Sequence, residues 1–342
     1  MKYEQLGATG VFVSRISLGA MSFGGRDSQL WDAVGALDVK ETDRMVGTAL
    51  DHGVNLIDTA NVYAEGESEE LLGEVLGARR RDVILATKMT ARTAPGPNDV
   101  GQSRLHIMRS LEDSLRRLRT DHIDLYQIHN LDPLTPFEES LAALDDAVHQ
   151  GKIRYIGASN LAAWEMMKAL GVSERRGWAR FSSLQSYYSL AGRDIEREIL
   201  PVVRDQRLGL LVWSPLAAGL LSGKFDRTGT SDDGARRARF AFPPVNLERA
   251  YDIIDVLRQV AARHEVGVSR VALAWVLAQP GVTSAIVGAK RPEQLVENLA
   301  AVELELTAQD LAELDAVSAL PAEYPGWIIE GFRTDARLPQ TA

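Results

Sequence analysis

The chain has 342 residues, a formal net charge of −9 and no cysteine. That balance argues against a nucleic-acid partner or an anionic membrane surface, and the missing thiols exclude disulfides, thiolate catalysis and Cys-ligated metals. Hydrophobic residues make up 45%, enough for a sizeable core. The opening Met1-Lys2-Tyr3-Glu4-Gln5 lacks the apolar stretch of a secretory signal. The most apolar region, 268–289, is broken by Arg270, Gln279 and Pro280-Gly281, so no membrane insertion and a cytoplasmic location are expected.

In chain order, residues 1–15 read as a small hairpin with its turn at Gly7-Ala8-Thr9-Gly10. A unit then recurs: a short apolar strand, a polar exit and an amphipathic helix. Strand 16–20 leads to a helix over 40–51, and the apolar run 54–57, interrupted only by Asn55, ends in Asp58 before a helix over 68–76. Strand 83–88 precedes a long helix whose Leu105, Met108, Leu111, Leu115 and Leu118 share one face at helical spacing. Strand 123–129 precedes a helix over 136–150, with proline near its start and Gly151 just past its end. Strand 153–157 pairs with helix 162–170, strand 182–185 with helix 195–206, and strand 208–213 with helices 247–265 and 269–279. Strand 283–287 precedes helix 292–302, and a last helix over 308–319 follows the cap-like Thr307 before an irregular tail.

These are eight strand-plus-helix units. The exits Asp58, Lys88, His129, Ser159, Gln185 and Trp213 are spaced by 30, 41, 30, 26 and 28 residues, close to one βαβ repeat each. Eight parallel strands close most simply into an (α/β)8 TIM barrel, one domain over 1–342 with an N-terminal hairpin and additional C-terminal helices. The alternative, an open doubly wound sheet, normally carries a Gly-x-Gly-x-x-Gly turn after its first strand, which 18–25 does not supply. Residues 225–245, with Gly229, Gly234 and the cluster Arg236, Arg237 and Arg239, read as a long rim loop, either a mobile lid over a ligand or a solvated surface loop.

A barrel brings all strand exits to one rim, so Asp58, Lys88 and His129 meet there, with Tyr63 on the loop after Asp58. A free tyrosine has a pKa of about 10. An ammonium about 4 Å away contributes on the order of 4 kcal/mol in a partly screened site, roughly three pKa units, which brings Tyr63 towards its operating range. Asp58 would keep Lys88 charged and oriented, and a neutral His129 could donate to a substrate oxygen. Singly, each residue has a packing or capping role open to it. Together they describe a site that protonates a carbonyl oxygen or deprotonates an alcohol. No His-x-His or His-Glu-x-x-His is present, so no metal is expected. A Schiff-base role for Lys88 stays open.

The later exits suit a nucleotide. Ser159, Asn160 and Gln185 fit a carboxamide, Trp213 offers a stacking face, and Ser214 to Gly219 with Lys224 could meet phosphates. Gly288-Ala289-Lys290-Arg291 opens a helix whose N-terminus favours anions, with Gln294 and Asn298 on one face.

These blocks resemble the aldo-keto reductases. Asn55-Leu56-Ile57-Asp58-Thr59-Ala60 with Tyr63 is similar to one signature of the family, and 109–115 with Leu118, Asp121, Asp124-Leu125-Tyr126 and His129 to a second. Residues 151–160, Trp213-Ser214-Pro215-Leu216 and 288–298 resemble later blocks, and tryptophan at 213 resembles the branch of potassium-channel β subunits and their bacterial relatives. The resemblance implies a barrel that binds NADPH without a Rossmann fold and reduces aldehydes or ketones, small-molecule substrates, by direct hydride transfer. It implies Tyr63 as general acid, assisted by Lys88 and Asp58, with His129 orienting the carbonyl. For the cofactor it implies Ser22 and Gly288 among the contacts, Ser159, Asn160, Gln185 and Trp213 around the nicotinamide, then Ser214, Leu216, Gly219 and Lys224 along the pyrophosphate with Arg239 as a clamp. Lys290 and Arg291 would hold the 2′-phosphate, and Gln294, Glu297 and Asn298 the adenosine. Ala64 stands where the family commonly has glycine, and Val287 where it commonly has proline. Phe23, Trp31, Tyr188 and Trp327 are candidate walls of the substrate pocket. A slow-turnover nicotinamide-binding sensor or accessory subunit is the alternative function, and homo-oligomerisation is left open.

Overall fold

A computed structural model describes residues 1–26, 28–230, 236–239 and 241–332. Strands β1 (Tyr3–Gln5) and β2 (Phe12–Ser14) form the N-terminal hairpin. The barrel strands are β3 (Ile16–Gly19), β4 (Leu56–Asp58), β5 (Ile84–Met89), β6 (Ile123–Ile128), β7 (Ile153–Ser159), β8 (Phe181–Tyr187) and β9 (Gly209–Trp213). Two short strands, β10 (Phe225–Asp226) and β11 (Gly229–Thr230), pair on a rim loop, and β12 (Val282–Val287) returns to the barrel. The eight barrel strands close in the order β12-β3-β4-β5-β6-β7-β8-β9, all parallel. The expected (α/β)8 barrel and its hairpin are therefore what the chain forms.

The pleat explains where the site sits. Leu56, Ala86, Leu125 and Leu211 make an apolar cluster with Leu6 and Val13 of the hairpin, apart from the larger core between strands and helices. Two residues further along the same strands, on the same face, come Asp58, Lys88, Gln127 and Trp213. The barrel is thus apolar at its base and becomes polar within one step of the pleat. Asn55, the interruption in its apolar run, ties the hairpin beneath this floor: its Oδ1 accepts from the Ser14 amide at 2.7 Å and its Nδ2 donates to the Phe12 carbonyl at 2.9 Å.

Helix starts follow local chemistry. Asp38 and Glu41 close a capping box on Val39–Asp51, Ser103 caps Arg104–Arg117, Asn246 caps Leu247–Arg263, and Thr307 with Asp310 caps Ala308–Ser318. Two expectations need correction. Of the face expected for Arg104–Arg117, Leu111, Leu115 and Leu118 are buried and Met108 packs partly buried against the core, but Leu105 is exposed, and Ile107 with His106, Ser110 and Ser114 completes the buried side instead. The helix expected from 195 begins only at Ile199 and runs to Asp205, because Pro201, with no N–H to give, fits a first helical turn and not an interior. The tail includes a short helix, Gly326–Gly331. Among the described residues no helix is long and apolar enough to cross a membrane.

Candidate active site

β4 delivers Asp58 into the barrel mouth, and the chain stays hydrogen-bonded to β5 beyond it, from Thr59 N to Ala86 O and from Asn61 N to Lys88 O. That pairing carries the next turn back over Lys88 and sets Tyr63 above the ammonium. Ala64 and Glu65 then take φ of 49° and 58°. This is the left-handed region, which costs a non-glycine residue about 1–2 kcal/mol and accounts for the glycine common after the tyrosine.

Lys88 is 1% exposed and Asp58 3%. The Lys88 ammonium donates to Asp58 Oδ1 at 2.5 Å, to the Thr59 carbonyl at 2.9 Å and to Tyr63 Oη at 3.3 Å. Its three protons are therefore all assigned. Burial alone would lower its pKa; the Asp58 carboxylate and the Tyr63 hydroxyl outweigh that and hold it raised. A lysine kept charged in this way is a poor Schiff-base nucleophile. The second carboxylate oxygen, Asp58 Oδ2, accepts from Gln127 at 3.0 Å and Gln185 at 2.9 Å. Gln127 was not among the residues singled out from sequence, although a lone polar residue inside the apolar strand 123–128 marks it.

His129 leaves β6 with its amide donating to the Met89 carbonyl at 2.8 Å. Its ring lies edge-on to Tyr63, centroids 6.0 Å apart. Desolvation, and then the neighbouring Lys88 charge, lower its pKa to about 3. The imidazole is neutral at pH 7, and its buried Nδ1 finds no hydrogen-bond partner among the described residues.

A cleft of about 900 Å³ opens above these groups. Its lining includes Asp58, Tyr63 and His129, together with Ser159, Asn160, Gln185, Trp213, Ser214, Leu216, Gly219 and Lys224. Ser22, Gly288, Lys290, Arg291, Gln294, Glu297 and Asn298 line the rest. The loop after β9 holds Ser214, Ala217 and Ala218 at φ of 51°, 48° and 56°, three strained non-glycine residues of the kind found where backbone must face a ligand, and Gly219 follows at 89°, which glycine adopts freely. Glu297 pairs with Arg270 at 2.7 Å. Lys290 Nζ reaches the Ala33 carbonyl at 3.4 Å.

The carboxamide-facing groups can be tested proton by proton. Gln185 Nε2 donates to Asp58 Oδ2 and to Gln127 Oε1, so Gln185 can offer a ligand only its carbonyl oxygen. Ser159 Oγ donates to the Gln185 backbone carbonyl at 3.0 Å and can then only accept. Asn160 Nδ2 donates to the His129 carbonyl and its Oδ1 accepts from the Trp213 indole, both at 3.0 Å, which leaves one N–H. Two acceptors and one donor complement the two N–H groups and one oxygen of a carboxamide. The donor set fits a nicotinamide.

Other candidates lie elsewhere. Tyr188 is fully buried, donates to Glu196 at 2.5 Å and packs on Trp275; it faces the helix layer and does not line the cleft. Phe23 is likewise fully buried, bridged to Leu37. Trp327 is 51% exposed on the C-terminal helix, beside Tyr324. Trp31 alone of the four approaches the chemistry, its ring 6.1 Å from that of Tyr63. Arg239 pairs with Asp32 at 2.9 Å, which links the rim loop to the helix Gln29–Val34. Of the 225–245 loop, residues 231–235 and 240 lie outside the described residues. Phe242, also missed from sequence, stacks on Trp213 with centroids 5.7 Å apart.

The family model for the aldo/keto reductases matches residues 15–319. The chain belongs to the aldo/keto reductase family. It is 40% identical to an uncharacterized oxidoreductase of Bacillus subtilis over 93% of this chain and 96% of the relative. A versiconal hemiacetal acetate reductase of Aspergillus parasiticus is 35% identical, with 95% and 99% covered. A probable voltage-gated potassium channel subunit beta of Arabidopsis thaliana is 37% identical, with 89% and 92% covered. The oxidoreductases among these relatives and the family as a whole make this aldo/keto reductase an oxidoreductase acting on small molecules.

Proposed function

We propose that this chain is an NADPH-dependent carbonyl reductase in which Tyr63 is the general acid. The observation that carries the reading is the chain of contacts from Asp58 through Lys88 to Tyr63, beside a neutral His129, in a cleft that Lys290 and Arg291 also line. The bound cofactor supplies the hydride. Tyr63 Oη donates its proton to the carbonyl oxygen, and the Lys88 ammonium, already directed at Oη, stabilises the phenolate left behind. Asp58 fixes that ammonium and compensates its charge in a dry site. His129, neutral and therefore a single N–H donor, orients the carbonyl oxygen towards Tyr63. Ser159, Asn160 and Gln185 would hold the carboxamide, Trp213 would support the nicotinamide, and Lys290 with Arg291 would take the 2′-phosphate.

Tyr63→Phe tests the central assignment. Its kcat with an aromatic aldehyde should fall at least 10²-fold, the scale of general acid catalysis, while the Kd for NADPH stays unchanged. Equal turnover by the two proteins refutes the role. The likeness to a potassium-channel β subunit supports a second reading, a nicotinamide-binding accessory subunit with slow turnover. Cofactor release that limits turnover, together with co-purification of a larger partner, would favour it.

A further inference from the structure

We propose that a second pocket, behind Asn160 and Tyr187 in the helix layer, binds a compact, neutral, mostly apolar molecule with one hydrogen-bonding head, and that its occupancy is coupled to the cofactor cleft. The pocket has a volume of about 300 Å³, the lower end of the range for small-molecule sites, about 300–1,000 Å³. It lies between the start of the helix Ala163–Arg176 and the segment 192–199. Leu161, Ile195, Ile199 and Tyr187 give it apolar walls.

Two features keep the space open. The Ser189–Gly192 bridge folds the chain back after β8, and Gly192 lies so close to Tyr187 that a Cβ there would sit 2.3 Å from the ring. The next α-helix, delayed by Pro201, begins only at Ile199, and a single 3-10 turn, Asp194–Glu196, stands in the gap and turns Ile195 to the pocket. One further lining residue, Ser186, is 3% exposed, and its hydroxyl finds no hydrogen-bond partner among the described residues. A buried hydroxyl in that state is costly, and a ligand met by rotation of the serine side chain removes the cost. The charged lining residue, Asp194, is already paired with Arg197. No uncompensated charge faces the space, which selects a neutral occupant.

The coupling rests on Asn160, which lines both the pocket and the cleft. Its side chain joins the His129 carbonyl to the Trp213 indole, and the ring of Tyr187, the other shared support, is 5.1 Å from that of Trp213. A molecule here therefore packs against two of the residues that hold Trp213, Asn160 and Tyr187, while Phe242 stacks on it separately. By linkage, a ligand and a cofactor that meet through one residue change each other's affinity by the same factor.

Indole is a suitable probe: neutral, compact, with one N–H. Titration of the full chain by calorimetry, first without nucleotide, should give one saturable site. Ala162→Phe, at the exposed rim, and Ile199→Trp should each weaken indole binding at least tenfold while leaving circular dichroism and aldehyde turnover in the absence of indole unchanged. Indole should not compete with the aldehyde, and NADP⁺ should shift the indole Kd by the factor with which indole shifts that of NADP⁺. Indole binding that ignores both filled variants, that aldehyde displaces, or that leaves NADP⁺ affinity unaltered overturns the proposal. The nucleotide-free arm separates this outcome from a failure of the NADPH assignment itself.

Discussion

Lys88→Met removes the charge between Asp58 and Tyr63 while keeping an unbranched apolar stem of similar reach. Two separable losses should follow. At 3.3 Å from Tyr63 Oη, a unit charge in an effective dielectric of about 20 stabilises a phenolate by about 5 kcal/mol, equivalent to about 10³–10⁴-fold in rate. The fall should appear in kcat with an aromatic aldehyde at pH 7, with the Kd for NADPH little changed. The second loss is structural. Asp58 keeps Gln127 and Gln185 but loses its counter-charge in a site where it is 3% exposed, and breaking such a pair from one side costs about 3–5 kcal/mol of stability. Adding Asp58→Asn removes the stranded carboxylate, so the double variant should regain more than half of that stability in urea unfolding and none of the activity. A Lys88→Met enzyme within tenfold of wild type refutes the electrostatic argument. Recovery of activity together with stability in the double variant would make Lys88 a purely architectural residue.

The imidazole of His129 gives a pH prediction with a definite sign. Its pKa of about 3 in the folded protein lies below the ordinary value near 6.5, so the unfolded chain takes up a proton that the folded one refuses as pH falls from 6.5 towards 3. Stability should drop through that window with a limiting slope of about 1.4 kcal/mol per pH unit from this group, and His129→Asn should flatten the curve measured by urea unfolding between pH 7 and pH 5. Lys290→Ala should reduce the preference for NADPH over NADH about tenfold or more, the worth of one charge-assisted phosphate contact; an unchanged ratio of Kd values moves the contact elsewhere. Tyr126 is fully buried, and its hydroxyl finds no partner among the described residues. Tyr126→Phe should therefore raise stability by about 1 kcal/mol in urea unfolding, and a loss would reveal a hydrogen bond to that hydroxyl.

What could be read from the sequence was whatever a strand imposes on its own residues. A barrel strand places its exit at the rim regardless of its neighbours, so Asp58, Lys88, His129, Gln185 and Trp213 could be assembled from spacing alone, and the closed eight-stranded order followed from the count of units. The same rule misleads just past the exits. Tyr188 comes three residues after Gln185, on the opposite parity of the pleat, and its ring goes outwards to Trp275 and Glu196; aromatic character gave no sign of that, whereas parity would have. Gln127 shows the converse. Its parity with Leu125 turns it into the barrel to share Asp58 with Gln185, and only its setting in an apolar strand distinguished it. Contacts made outside the barrel strands left less trace: Phe242, which no pattern marked, stacks on Trp213, and Trp31, named only as one of four aromatic candidates, reaches Tyr63. The division is physical. Asp58 and Lys88 sit on strands whose geometry is over-determined by the barrel, His129 just past the end of one, and Tyr63 on the turn that the Thr59 and Asn61 pairings carry back over Lys88. Trp31, the candidate wall nearest Tyr63, sits outside the barrel strands on the short helix Gln29–Val34. Residues on the barrel strands are thus written in the periodicity of the chain, and the rim residues that come to meet them are not.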